Sequence, residues 1–136
     1  MIPPRSDALV LFGVTGDLAY KMIFPAPYAL AKRGALLVPV IGVASPKWSL
    51  TALHHRVQDS IQRSGGSDNE PALQHLLALL RYVSGDYNDG GTFTQIKAAL
   101  GNARRPAYYL AIPPLLFSTV IKGLGAAGLG HEARVI

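Results

Sequence analysis

The sequence predicts an α/β domain built on a doubly wound parallel sheet, Rossmann-like and incomplete at the C-terminus. Five apolar segments alternate with helical segments along the 136 residues, and short connections between such elements favour parallel strands. Hydrophobic residues make up 49% of the chain and charged residues only 15%, which fits strands covered by helices on both faces. A glycine-rich turn follows the first apolar segment directly, at the place where such sheets bind dinucleotides.

Strands are predicted where apolar residues run together between turn-forming residues. The last of these runs starts at Ala133 and is still apolar at Ile136. We therefore expect residues 1–136 to be one dinucleotide-binding Rossmann domain that is cut within its fifth strand. The predicted strands cover residues 8–12, 38–44, 80–84, 107–112 and 133–136.

Helices are predicted between the strands, where apolar residues recur at helical spacing. Ser49 is expected to cap the second helix, and Thr92 to open the fourth. The apolar stripe of the second helix is expected to consist of Leu50, Leu53, Val57 and Ile61. The predicted helices cover residues 17–33, 49–63, 71–79, 92–100 and 115–128.

Two prolines fall inside the first predicted helix. Pro25 and Pro27 each lack a backbone donor, and a proline ring crowds the carbonyl group one turn earlier. We therefore expect this helix to be bent or locally unwound near them.

The turn after the first strand has the pattern Gly-x-x-Gly-x-x-Ala. Gly13 allows the chain to turn, Gly16 leaves room for phosphates, and Ala19 allows close packing of helix on strand. Thr15 offers a hydroxyl and an N–H group to phosphates, and Asp17 is expected to accept helix N-terminal N–H groups. A purely structural turn is the alternative interpretation. The predicted coenzyme-binding residues here are Gly13, Val14, Thr15, Gly16, Asp17, Leu18 and Ala19.

The residues after the second strand bear on which dinucleotide is bound. An acidic residue at this position takes the ribose 2′-hydroxyl of NAD, whereas a basic residue accommodates the 2′-phosphate of NADP. Here the strand ends in Ser45, Pro46 and Lys47, and the nearest acidic residue downstream is Asp59. This favours NADP, with Ser45 and Lys47 as its ligands. The alternative is that Ser45 merely begins a turn and that Lys47 is a solvated charge.

Polar and aromatic residues also follow the third strand and lie in the fourth. Ligands of open α/β sheets bind beyond the carboxyl ends of the strands, so we expect Asp86, Tyr87 and Tyr109 to border the coenzyme. Tyr87 is placed to stack on adenine and Tyr109 to lie on the nicotinamide side. Core packing is the alternative for both tyrosines.

Composition excludes several other classes of function. The chain has no cysteine, and its net charge of +5 comes from scattered lysines and arginines, which favours a small anionic ligand over nucleic acid. No apolar run is long enough to span a membrane, and a cytoplasmic location is expected. No residue has the neighbours of a general base, so no catalytic residue is predicted. No metal site is predicted either, because metal-ligand spacing is lacking among His54, His55, His75 and His131.

In combination, these motifs resemble the N-terminal coenzyme-binding domain of the glucose-6-phosphate dehydrogenase family. The resemblance covers nearly the whole chain from Asp7, with several separated motifs in the family's order. The matching segments are residues 13–19 with Lys21 and Pro25, 41–44, 82–87, 109–114 and 121–125.

The resemblance implies an enzyme that oxidises glucose 6-phosphate to 6-phosphoglucono-lactone with NADP, or in some members NAD, at the entry of the pentose phosphate pathway. It also implies a homo-oligomer when full length. Many members have an arginine where this chain has Ser45, which leaves Lys47 as the substitute. The family's E-K-P and D-H-Y-L-G-K motifs, the second with the catalytic histidine, do not occur in the 136 residues. We therefore expect these residues alone to be inactive. The alternatives are a stand-alone NADP-binding module and an inactive truncated gene product.

Overall fold

The computed structural model of the chain describes residues 6–65, 68–129 and 134–135. Its strands form one sheet in the order β3-β2-β1-β4-β5, and every neighbouring pair is parallel. The predicted fold class is therefore confirmed. The strands are β1 Ala8–Phe12, β2 Val40–Ala44, β3 Leu80–Ser84, β4 Pro106–Leu110 and β5 Arg134–Val135.

Helices cover both faces of this sheet. Along β1, Leu9 and Leu11 join the apolar core under α1, α2 and α3, while Val10 and Phe12 join the core under α4 and α5. The strand order reverses between β1 and β4, so a crevice opens beyond their carboxyl ends. The helices are α1 Pro25–Lys32, α2 Leu50–Arg63, α3 Glu70–Leu79, α4 Gly90–Leu100 and α5 Phe117–Ala126.

Two strands differ from their predicted bounds, and the fifth is described only in part. β2 begins at Val40 instead of residue 38, because its pairing with β1 begins at Val40 opposite Leu9. β4 covers Pro106–Leu110 instead of residues 107–112, because its ladder with β1 runs from Pro106 opposite Ala8 to Leu110 opposite Phe12. The predicted ends of the fifth strand, residues 133 and 136, lie outside the described residues.

The first helix is interrupted, as its prolines predict. A π-helical turn, Ala19–Ile23, precedes α1, and the N–H group of Phe24 donates to the carbonyl of Ala19 at 3.3 Å. α1 then starts with Pro25, a position where a missing N–H group costs nothing. A single helix over residues 17–33 is therefore wrong, and two shorter pieces replace it.

The capping of α2 agrees with the sequence, whereas one position of its apolar stripe does not. The N–H group of Ala52 donates to Ser49 Oγ at 3.0 Å. Leu50 is 42% exposed, because it is the first helical residue and burial against the sheet begins only with Leu53. Ser60 is buried instead, and its hydroxyl donates to the carbonyl of Tyr20.

α4 starts two residues earlier than predicted, so Thr92 does not open this helix. The helix begins at Gly90, and the Asp89 side chain caps it by accepting from the N–H group of Gly91 at 2.9 Å. Thr92 is buried one turn inside, where its hydroxyl donates to the carbonyl of Asp86 at 2.7 Å.

The remaining two helices also differ from their predicted bounds. α3 begins one residue earlier than predicted, capped by Asn69. The last predicted helix, residues 115–128, is a 3₁₀ turn, Pro114–Leu116, followed by the shorter α5. None of the helices in the described part of the chain combines the length and the apolar character needed to cross a membrane.

The side chain of Asp7 ties the start of β1 to the segment before β4. Its carboxylate accepts from the backbone N–H groups of Arg104 at 2.7 Å and Arg105 at 2.8 Å. Burial acts to raise the pKa of this carboxyl, but the two N–H groups outweigh it, and the pKa lies below its usual value.

Two glycines of α5 provide a test of its packing. A Cβ atom at Gly123 would lie 2.3 Å from the ring of Phe93, whereas nothing lies within 4 Å of one at Gly125. We expect Gly123→Ala to lower the free energy of unfolding by about 1–3 kcal/mol through overpacking. Gly125→Ala should raise it by about 0.5–1 kcal/mol, because alanine favours helix. Urea unfolding measures both, and equal effects would contradict the packing of α5 on α4.

The lowered pKa of Asp7 predicts a specific pH dependence of stability. The ionised form is favoured in the folded state, so its contribution is complete above the ordinary carboxyl pKa and is lost as pH falls through the lower folded value. Asp7→Asn should therefore reduce the free energy of unfolding at neutral pH and reduce it less in acid. Urea unfolding between about pH 3 and pH 7 measures the difference. A deficit that does not depend on pH would contradict this account.

Candidate functional site

The turn that follows β1 depends on Gly13. This residue has φ +79°, and a Cβ atom there would lie 2.2 Å from the carbonyl oxygen of Ala111. Its N–H group donates to the carbonyl of Val43 at 2.8 Å and to the hydroxyl of Tyr87 at 2.9 Å. The turn is thus packed closely between the ends of β2 and β4.

The central residues of the turn face outward while its ends are buried. Val14 and Ala19 are fully buried, and Val14 packs on β2 where Gly42 leaves space for it. Thr15 is half-buried, and Gly16, Asp17 and Leu18 are exposed. The exposed part of the turn is therefore held at both sides by the core.

The same turn leaves backbone donors without acceptors. Gly16 donates its N–H group to the carbonyl of Gly13 at 3.0 Å. Within the described part of the chain, the N–H groups of Thr15, Asp17 and Leu18 have no such partner. A Cβ atom at Gly16 would meet only the carbonyl oxygen of Gly13, at 3.3 Å. Bare backbone with unpaired donors at a helix start is suited to binding an anion.

The capping role predicted for Asp17 is wrong. Leu18, at the start of the helix, already has helical backbone angles, and no side chain accepts a hydrogen bond at this end. The Asp17 side chain is 89% exposed and lies 3.8 Å from the guanidinium of Arg56. It therefore points across to α2 and not back to the helix that it precedes.

Tyr87 packs beneath the turn, on the face of the sheet that α4 and α5 cover. Its ring meets that of Phe12 edge-on, with 5.7 Å between the centroids. Its hydroxyl accepts from Gly13 and donates to the carbonyl of Val43 at 3.3 Å. Burial raises the pKa of this hydroxyl, and the N–H group of Gly13 offsets part of the rise. Stacking of Tyr87 on adenine remains a prediction.

The other two candidates at the strand ends differ in exposure. Asp86 is exposed, and its carboxylate accepts from the N–H group of Asn88 at 2.8 Å. Tyr109 is half-buried and packs against the core under α1, α2 and α3. Asp86 thus shapes the loop before α4, and Tyr109 lines the opposite side of the sheet from Tyr87.

Ser45 and Lys47 lie on an exposed loop whose backbone is anchored from β3. The hydroxyl of Ser84 donates to the carbonyl of Pro46 at 3.0 Å, and the hydroxyl of Tyr82 donates to the same oxygen. The side chains of Ser45 and Lys47 are both exposed. This loop and the glycine turn follow adjacent parallel strands, so both lie at the carboxyl-terminal edge of the sheet.

Arg56 is the site residue that the sequence reasoning missed. It projects from α2, and its Nη2 donates to the carbonyl of Gly16 at 3.3 Å. Its guanidinium lies over the rings of Tyr20 and Trp48, at 4.6 Å and 5.8 Å from their centroids. The only available signal is that Arg56 stands directly before Val57 in the apolar stripe of α2, which places it on the flank of the buried face.

The described residues contain no group of three or more histidine, aspartate or glutamate side chains that could hold a metal ion. The chemistry of this edge is instead that of free backbone donors, hydroxyls and cations around the turn after β1. Such a set binds phosphate groups without a metal ligand from the protein.

Comparisons with known proteins identify relatives of this chain. The family described as "Glucose-6-phosphate dehydrogenase, NAD binding domain" matches residues 10–136. Glucose-6-phosphate 1-dehydrogenase 1 of Mycobacterium bovis is 39% identical over 130 residues, which cover 96% of this chain and 28% of that protein. The chain thus spans little more than a quarter of the length of this relative.

Solved structures show the same fold. The crystal structure of glucose-6-phosphate 1-dehydrogenase from Mycobacterium avium matches with a TM-score of 0.91 and 40% identity, covering 96% of this chain and 29% of that one. A glucose-6-phosphate dehydrogenase in complex with glucose 6-phosphate matches with a TM-score of 0.82 over 98% of this chain and 30% of its own; at 24% identity it shows the fold alone. The chain therefore belongs to the glucose-6-phosphate dehydrogenase family, and it matches the NAD-binding domain of that family.

Proposed function

We propose that residues 1–136 are the coenzyme-binding domain of an enzyme that oxidises glucose 6-phosphate to 6-phosphoglucono-lactone with NADP. The observation that carries this proposal is the glycine turn, which presents unpaired N–H groups at the reversal of strand order. Similar proteins are named for the same substrate. We further propose that the whole enzyme acts as a homo-oligomer in the cytoplasm.

The residues present fit a dinucleotide. The N–H groups of Thr15 and Asp17 would hold the diphosphate, since they lack partners in the described chain. Gly16 supports this assignment, because bare backbone there allows phosphates to approach. The bound coenzyme supplies the acceptor for hydride, and this chain supplies its position.

The loop after β2 supports NADP over NAD. Ser45 and Lys47 are exposed at the edge where the adenosine ribose binds in such folds. A lysine there adds a charge-assisted contact to a 2′-phosphate. NAD remains the alternative coenzyme, because an exposed lysine discriminates less strongly than a rigid arginine.

Gly16→Val tests the diphosphate site. A Cβ atom at Gly16 meets only the carbonyl oxygen of Gly13, at 3.3 Å, a tight contact that a small shift of the turn relieves. The protein should therefore stay folded while the valine blocks the approach of the phosphates. Calorimetric titration should show that binding of both NADP and NAD is abolished.

Gly125→Val is the control for this variant, because Gly125 is another exposed glycine and nothing lies within 4 Å of its Cβ position. It should bind both coenzymes like the original protein. Unchanged affinity in a folded Gly16→Val protein would show that the diphosphate lies elsewhere.

Lys47→Ala tests the choice of coenzyme. The lost contact is worth on the order of 1–2 kcal/mol, so affinity for NADP should fall about tenfold while affinity for NAD stays nearly unchanged. Raised salt should erode the preference for NADP, because it screens the exposed extra charge. Lys97→Ala on α4 is the control, since it removes an equally exposed lysine. Equal losses of affinity for both coenzymes would show that Lys47 does not bind the 2′-phosphate.

A further inference from the structure

The guanidinium of Arg56 lies between the two loops that border the ribose site. It reaches the glycine turn through the carbonyl of Gly16 at 3.3 Å, and it lies over the ring of Trp48, the residue after Lys47. A second ring, that of Tyr20, lies 4.6 Å from it. The charge is thus held at the junction of the glycine turn and the loop after β2.

This guanidinium is constrained in position and has donors to spare. Only 26% of the Arg56 side chain is exposed, and its distance of 3.8 Å to the carboxylate of Asp17 is too long for a hydrogen bond. Its Nε atom is buried with no hydrogen-bond partner in the described chain. A planar fork stacked on aromatic rings loses little freedom when it binds an anion.

We propose that Arg56 is a residue that determines coenzyme specificity, because its guanidinium pairs with the 2′-phosphate of NADP. The inference rests on the proposed function and adds a residue from α2 to the exposed loop after β2. Lys47 supplies a flexible ammonium group on the solvent side of the 2′-phosphate, and Arg56 supplies a partly buried, planar guanidinium on the protein side. A charge held in this way interacts more strongly with phosphate than an exposed lysine does.

Arg56→Gln is the direct test, with NADP and NAD as probes in calorimetric titrations of the 136-residue chain. Affinity for NADP should fall about tenfold or more, whereas affinity for NAD should fall by a clearly smaller factor, because NAD loses only the neutralisation of Asp17. Arg63→Gln is the matched control, because it removes the same charge two turns further along α2 and should leave both affinities unchanged. The fluorescence of Trp48, the one tryptophan of the chain, reports binding independently.

A double variant separates two roles of Arg56, recognition of the 2′-phosphate and neutralisation of the Asp17 carboxylate. Removal of Arg56 leaves the carboxylate of Asp17 without its cation, which weakens the binding of any phosphate. In Asp17→Asn with Arg56→Gln, the selective loss of NADP affinity should persist. Recovery of NADP binding in the double variant would overturn the proposal, because Arg56 would then act only on Asp17.

Other outcomes are equally decisive. Equal losses for NADP and NAD, or no loss for either, would overturn the role of Arg56 and leave the proposed function standing. Failure of the original protein to bind either coenzyme would overturn both. Should Arg56→Gln not fold, as judged by circular dichroism, Arg56→Lys replaces it. Lysine keeps the charge but lacks the fork, so a selective loss of NADP affinity is again expected and its absence overturns the proposal.

Discussion

The close approach of Gly13 to Ala111 is the constraint on which the rest of the site depends. Only a residue without a side chain can lie where a Cβ atom would come within 2.2 Å of a carbonyl oxygen, and its φ of +79° excludes most other residues as well. β1 ends at Phe12, directly before this contact, and its ladder to β4 ends there as well. The crevice therefore opens beyond the carboxyl ends of β1 and β4, where the strand order reverses.

The turn is held in place by residues at or just after the ends of three other strands. β2 accepts hydrogen bonds through Val43, the loop after β3 contributes the hydroxyl of Tyr87, and the end of β4 packs against Gly13. Because these supports come from far along the chain, the exposed N–H groups of the turn are fixed by tertiary packing. Preorganised donors of this kind bind an anion at low entropic cost.

Patterns that are local in sequence predicted the fold, whereas contacts between distant residues largely escaped prediction. Buried strands and glycine motifs are visible as short runs, so the sheet and its turn followed from them directly. The cap at Ser49 was found because it lies beside its helix. Arg56 was missed because its partner Gly16 lies 40 residues away. Capping by Asp17 failed because a cation from another helix lies near its carboxylate.

Electrostatics at this edge of the sheet explain how an exposed carboxylate can lie beside the proposed phosphate site. Asp17 alone would repel a diphosphate, but the guanidinium of Arg56 lies 3.8 Å away and reduces the local negative potential. The same arginine is tied to the turn through Gly16 and to α2 by its own backbone. The turn and the second helix are thereby coupled through one side chain. A change in either element therefore alters the electrostatic potential at the proposed diphosphate site.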